Sequence, residues 1–169
     1  MNVKRISLSL ATAAVIVAVP ATTFAGFFPA DRPTFTYDSF GACKGADNVT
    51  FNSFTNNPVV GDERPFLAGS LNSASVADRI KVKDGDEIVL RIYVHNNADS
   101  NVMGDAATAH GVKVKVLVPT AKQKDTNLIG FISATNATPG TINDTMSLYG
   151  DNAFTVNYVA GSAVWEHKA

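Results

Sequence analysis

The stretch Val112-Lys113-Val114-Lys115-Val116-Leu117-Val118 puts valine at every second position. A period of two belongs to an extended chain, whose successive side chains leave on opposite faces; a helix would scatter these valines around its circumference. Glu87 to His95 repeats the pattern, with Ile88, Leu90, Ile92 and Val94 on one face and Val89, Arg91, Tyr93 and His95 on the other. Past residue 25 no 3.6-residue apolar period is sustained, so the chain is constrained to β-structure.

Further strands are predicted at Thr34 to Tyr37, Val49 to Phe54, Asp78 to Lys83, Leu128 to Thr135, Thr145 to Tyr149, Phe154 to Val159 and Ser162 to Glu166. Asn56-Asn57-Pro58, Thr138-Pro139-Gly140, Gly150-Asp151-Asn152 and Ala160-Gly161 separate them. Gly and Asn there tolerate positive φ, and Pro refuses a ladder bond. Asp84-Gly85 predicts a hairpin joining Asp78–Lys83 to Glu87–His95. Ala98 to His110 reads as an Asn/Asp/Gly-rich loop with room for one helical turn. About eight or nine short strands without alternating helices predict an all-β antiparallel sandwich.

The N-terminus bears on location. Lys4 and Arg5 precede an apolar run from Ile6 to Val19, then Pro20 and the small-residue exit Thr23-Phe24-Ala25. That order predicts a signal-peptide helix over residues 1–25, cleaved after Ala25. The run is shorter than the roughly 20 residues a membrane-spanning helix needs, so no stable span is expected after cleavage. Residues 26–33 read as an extended lead-in and 34–169 as a single domain. Without the leader, 12 Lys and Arg face 15 Asp and Glu, a net charge near −3 with the signs interspersed. That balance offers no basic surface for nucleic acid or for an anionic membrane.

Three segments carry a resemblance. Val82 to Asn97, a Gly-Asp followed by a long strand and Asn, is similar to the core of bacterial surface conserved-repeat domains. Ala109 to Pro119 resembles their next strand, and Phe154 to Ala163 their later Tyr-Val-Pro-Gly-Ser-Ala segment, with Ala160 in place of Pro. Asn57, Pro58, Gly61, Asp62, Glu63 and Arg64 add a similarity to secreted proteins of uncharacterised function from small-genome candidate-phylum bacteria. The resemblance spans roughly Asp78 to Trp165. It implies an Ig-like β-sandwich in a secreted or wall-associated protein and brings no catalytic residues. Related domains continue past the Gly-Ser-Ala segment, whereas here the sequence stops at His167-Lys168-Ala169. Either the strands near Thr34 and Val49 complete the sheets, or an edge stays unpaired and invites a strand from another chain, or the chain is a truncated relative of a larger protein with its domain incomplete at the C-terminus.

Candidate site residues are few. Asp99, Asn101 and Asp105 supply hard oxygen ligands suited to Ca²⁺ in the loop after the long strand. That spacing partly imitates an EF-hand loop, but its twelfth position is His110, so the bidentate Glu is missing; solvated Asx-turns are the competing reading. Cys43 is the sole cysteine and cannot form an internal disulfide. A buried inert thiol, an intermolecular disulfide, and a reactive thiol paired in space with His95 or His110 remain open for it. Lys113 and Lys115 should point to water, which argues against a lysine crosslink. Phe51, Phe154 and Tyr158 are expected in the core and Trp165 is expected exposed, as a possible contact. No nucleophile elbow, phosphate loop or His-Glu-x-x-His motif is present, so the chain is read as no enzyme. The expected role is adhesive or structural, at the cell surface or in the medium, through end loops or an edge strand. A calcium- or glycan-binding module is the alternative.

Overall fold

The computed structural model describes residues 17–19, 32–38, 44–71 and 75–166. Cys43 lies outside the described residues, as do the leader apart from residues 17–19, most of the lead-in, and His167. The described residues are all-β, in two sheets. Seven strands are described: β1 (Val17–Val19), β2 (Leu67–Leu71), β3 (Arg79–Lys81), β4 (Ile88–Ile92), β5 (Lys113–Pro119), β6 (Gln123–Ser133) and β7 (Thr141–Phe154), with one 3₁₀ turn at Gly104–Ala106. Six of the described strands therefore lie beyond residue 25, against the eight or nine expected.

The large sheet runs β1-β5-β6-β7-β3, and the small one pairs β2 with β4. Strands β5, β6 and β7 form an antiparallel meander, with Val116 opposite Gly130 and Leu128 opposite Met146. The small sheet is widened by irregular partners: Phe51 bridges Asn96, Phe35 bridges Phe54, and Gly69 bridges Ala77. The apolar core gathers Val49, Phe51, Phe66, Leu67, Ile80, Leu128, Ile132, Ile142, Met146 and Leu148. Two glycines permit close approach there. A Cβ on Gly130 would lie 3.3 Å from the Leu67 Cβ, and one on Gly69 would lie 2.9 Å from Met146 Cε.

Alternation is realised where the sequence is most regular. Ile88, Leu90 and Ile92 are half-buried and pack on the core, while Val89 and Arg91 are exposed. Pairing departs from expectation. Asp84-Gly85 does form a turn, with Gly85 at φ 83, but it joins no hairpin: β3 pairs parallel with β7 and β4 antiparallel with β2. The turn carries the chain from one sheet to the other, because Ile80 and Val82 and the Ile88 face must both reach the shared core.

Other corrections follow from the same long-range pairing. Gly150-Asp151-Asn152, expected as a turn, lies inside the 14-residue β7, where its partner β6 takes up the irregularity as a register shift at Gln123/Asp125. Leu67–Leu71 is a strand that the sequence does not announce, since Gly69 and Ser70 obscure its period. The chain leaves the sheet after Phe154, so Ser162 to Glu166 is no strand. Tyr158 there is 45% exposed, outside the core, and Trp165 is 68% exposed as expected. Val17–Val19, read as part of a helical leader, is a strand lying parallel to β5, with Val17 opposite Leu117. Two β-branched valines suit extended backbone, and the β5 edge supplies the ladder partners.

Candidate functional site

Glu63 is the least expected residue of the fold: a carboxylate whose side chain has 0% exposure. It follows the narrow loop closed by paired bonds between Asn57 and Gly61, each 2.8 Å, and its own N–H donates to the Phe54 carbonyl at 2.9 Å. Its Oε1 accepts from His95 Nδ1 at 2.7 Å and from Asn57 Nδ2 at 2.5 Å. Its Oε2 accepts from Asn97 Nδ2 at 2.9 Å. A buried carboxylate is tolerated only when its oxygens are met in this way.

Asparagines extend the network into the backbone. Asn52 sits at φ 46, a left-handed conformation that Asn tolerates. Its Nδ2 donates to the carbonyls of Tyr93 at 2.8 Å and Glu63 at 3.2 Å, and its Oδ1 accepts from the His95 N–H at 2.9 Å. Asn97 Oδ1 accepts from the Ser53 N–H. Arg32, from the end of the expected lead-in, is buried; its guanidinium donates to the Asn52 carbonyl and lies 5.8 Å from the Phe66 ring centroid. Burial lowers the Arg32 pKa to about 10. Phe54 roofs the cluster, its ring centroid 6.3 Å from that of His95 and 4.4 Å from that of Tyr37.

Two buried acids titrate in opposite senses. Burial pushes Glu63 up, but the bonds from His95, Asn57 and Asn97 outweigh it and hold the carboxyl below its ordinary 4.5. Asp144 shares the inward face of β7 with Ile142, Met146 and Leu148. Burial raises it above its ordinary 3.8, against the opposing N–H groups of Leu67 at 2.7 Å and Thr145 at 2.8 Å. Stability supplied by Glu63 is thus complete above pH 4.5 and lost as pH falls through the lowered folded value. That supplied by Asp144 is present below pH 3.8 and lost as pH rises through the raised value. Glu63→Gln should therefore show a smaller loss of unfolding free energy between about pH 5 and pH 2 than the parent, read by denaturant titration across pH.

The expected metal loop lies beside this cluster but is organised otherwise. Asp99 Oδ1 accepts from the Asn101 N–H and Nδ2, both at 2.9 Å, and Oδ2 from the Gly45 N–H at 3.1 Å. Those bonds from Asn101 and Gly45 hold its carboxyl below the ordinary range. Asp105 turns to His110 Nε2 at 3.1 Å. Asp99 and Asn101 thus share an Asx-turn that Asp105 does not join. Among the described residues no group of three or more His, Cys, Asp or Glu side chains is placed to hold a metal. The same loop borders an open hollow of about 500 Å³, lined by Thr36, Asp38, Lys44, Asp47, Asp99 and Asn101.

Asn136 clamps the far end of the loop, donating to the Asp105 carbonyl at 2.9 Å and the Thr108 carbonyl at 2.8 Å while accepting from the His110 N–H at 2.9 Å. Asn136→Ala is expected to accelerate amide exchange across 105–110 about tenfold, the effect of losing about 1–2 kcal/mol of local hydrogen bonding.

A carboxylate orienting an imidazole through Nδ1 is also the arrangement that positions a catalytic base or a metal-ligating histidine. Among the described residues no hydroxyl or thiol is hydrogen-bonded to the His95 ring. Alternation alone puts His95 on the outer face of its strand, and Glu63 enters the sequence reading only within a resemblance. The period gives the face, but the half-burial of His95 on it depends on the Asn52 and Glu63 segments folding beside it. Asn57 reads as a turn former, Asn52 lies inside the expected strand Val49–Phe54 and Asn97 ends the Val82–Asn97 segment, and nothing local marks them as partners of one acid. No family model matches the chain, and neither curated proteins nor solved structures include one similar to it.

Proposed function

We propose that this is an exported, non-catalytic Ig-like β-sandwich with an adhesive or structural role at the cell surface or in the medium, related to the bacterial surface conserved-repeat domains. One observation carries the reading: both oxygens of Glu63, the group best suited to chemistry, are bound by the scaffold's own His95, Asn57 and Asn97. Those bonds tie the Asn57–Gly61 loop to the base of the Asn96–His110 loop and hold the loop end rigid, as a recognition surface requires. The leader pattern of residues 1–25 supports export.

Expression with its own N-terminus in a bacterial host should give a product beginning at Gly26, outside the cytoplasm, that increases cell–cell or cell–surface attachment. Replacing Asn101–Asp105 by a Gly-Ser loop should remove the attachment and leave melting unchanged. Attachment unaffected by the loop exchange, or a product confined to the cytoplasm, would defeat the reading. The hollow beside Asp47 and Asp99 favours one second reading, a calcium- or glycan-binding module. Equal melting temperatures in millimolar calcium and in chelator would retire its calcium form.

A further inference from the structure

On one side the large sheet ends in β1, which, among the described residues, is the sole cover on the outer side of β5 and reaches only Leu117–Pro119. We propose that β5 is the acceptor edge of a self-assembly: once residues 1–25 are removed, the slot held by β1 is filled by the Tyr158–Trp165 segment of a second copy. The inference rests on the reading of residues 1–25 as a cleaved leader and deepens the structural role assigned above.

The occupant is argued from chemistry. The strand that fills the slot is Val-Ala-Val, short, uncharged and β-branched, and its removal would leave Leu117, Val118 and Pro119 unpaired on that side. A bare sheet edge is a template for another chain. The described residues hold a donor that can pair once its turn at Ala160-Gly161, with Gly161 at φ 78, opens. Between Tyr158 and Trp165 the chain carries Val159, Val164 and Trp165 at 58%, 82% and 68% exposure. From Thr155 to Glu166 the only backbone bonds among the described residues are Ser162 N–H to the Val159 carbonyl at 3.2 Å and Ala163 N–H to the Tyr158 hydroxyl at 3.3 Å.

Its own sheet is a poor destination. The tail leaves β7 at Phe154, opposite Gln123, on the side of β6 away from β5. Because β7 and β5 run the same way, lying parallel to its own β5, as β1 does, would require a crossover back along the length of the sheet and past two strands, which the few residues between Phe154 and Tyr158 cannot span. A second copy meets no such constraint. Because donor and acceptor are different surfaces, the contact is head-to-tail and propagates into chains.

Trp165 is the sole tryptophan, so its emission reports the donor directly. The exported product is followed by intact mass, sedimentation velocity and tryptophan fluorescence over a wide concentration range. A product starting at Gly26 should sediment faster, with blue-shifted emission, as concentration rises. Leu117→Lys places a charge on the acceptor edge, and Val164→Asp places one on the donor; each should weaken association at least about tenfold. Both should melt like the parent. An equimolar mixture of the two, each retaining one intact half, should form dimers and no longer species. A processed product that stays monomeric, with or without shifted emission, overturns the assembly while leaving the leader reading intact. So does assembly unaffected by both substitutions. A mass that includes residues 1–25 overturns the leader reading and the release step together.

Discussion

Glu63→Ala is expected to cost about 3–5 kcal/mol of folding free energy, since it leaves the donors of His95 and of the buried Asn57 and Asn97 without their common acceptor. For a domain of this size the melting temperature should fall by roughly 10 °C or more. The side chain is wholly buried, so the bonds it accepts from the buried Asn57 and Asn97 amides are not replaced by water. Denaturant unfolding of parent and variant gives the difference directly, and Glu63→Gln separates the causes. Gln fills the same space and keeps one acceptor, but it turns a donor towards donors. It should recover only part of the loss. Full stability in Glu63→Gln would mean that shape, and not charge-assisted hydrogen bonding, holds the cluster.

Phe54→Ala is the second large effect, again about 3–5 kcal/mol, from loss of a fully buried ring and the cavity left behind. Phe54 is 1% exposed and packs on Phe35, Tyr37 and His95 rather than in the main apolar core. Its removal opens the roof of the polar cluster, so water reaches the bonds that Glu63 makes. The double variant Phe54→Ala/Glu63→Ala should therefore be less destabilised than the sum of the singles, by roughly 0.5–3 kcal/mol. Strict additivity would show that roof and cluster are independent.

Phe54 falls in the segment least legible from sequence. Val49 to Phe54, expected as a strand, forms none: neighbouring chain segments pair with it only through isolated bridges at Phe51 and Phe54. Its residues sort by tertiary partner: Phe51 into the core, Asn52 to the backbones of Tyr93 and His95, Phe54 over the imidazole. Asp144 shows the same limit. Next to Asn143 and Thr145 it reads as turn chemistry, yet the meander sets it among Ile142, Met146 and Leu148, where it accepts the Leu67 N–H from the opposite sheet.

The sequence by itself determined the extended backbone, the inward faces of β4 and β5, and the location of the long loop at Ala98–His110. Those properties follow from the φ/ψ preferences and side-chain alternation of neighbouring residues, which are local. Only the tertiary structure decided that β3 joins β7 instead of β4, that Val17–Val19 covers the β5 edge, and that one glutamate gathers an imidazole and two amides. Strand pairing and burial are settled by which apolar faces meet across the core, and that competition is resolved over the whole chain at once.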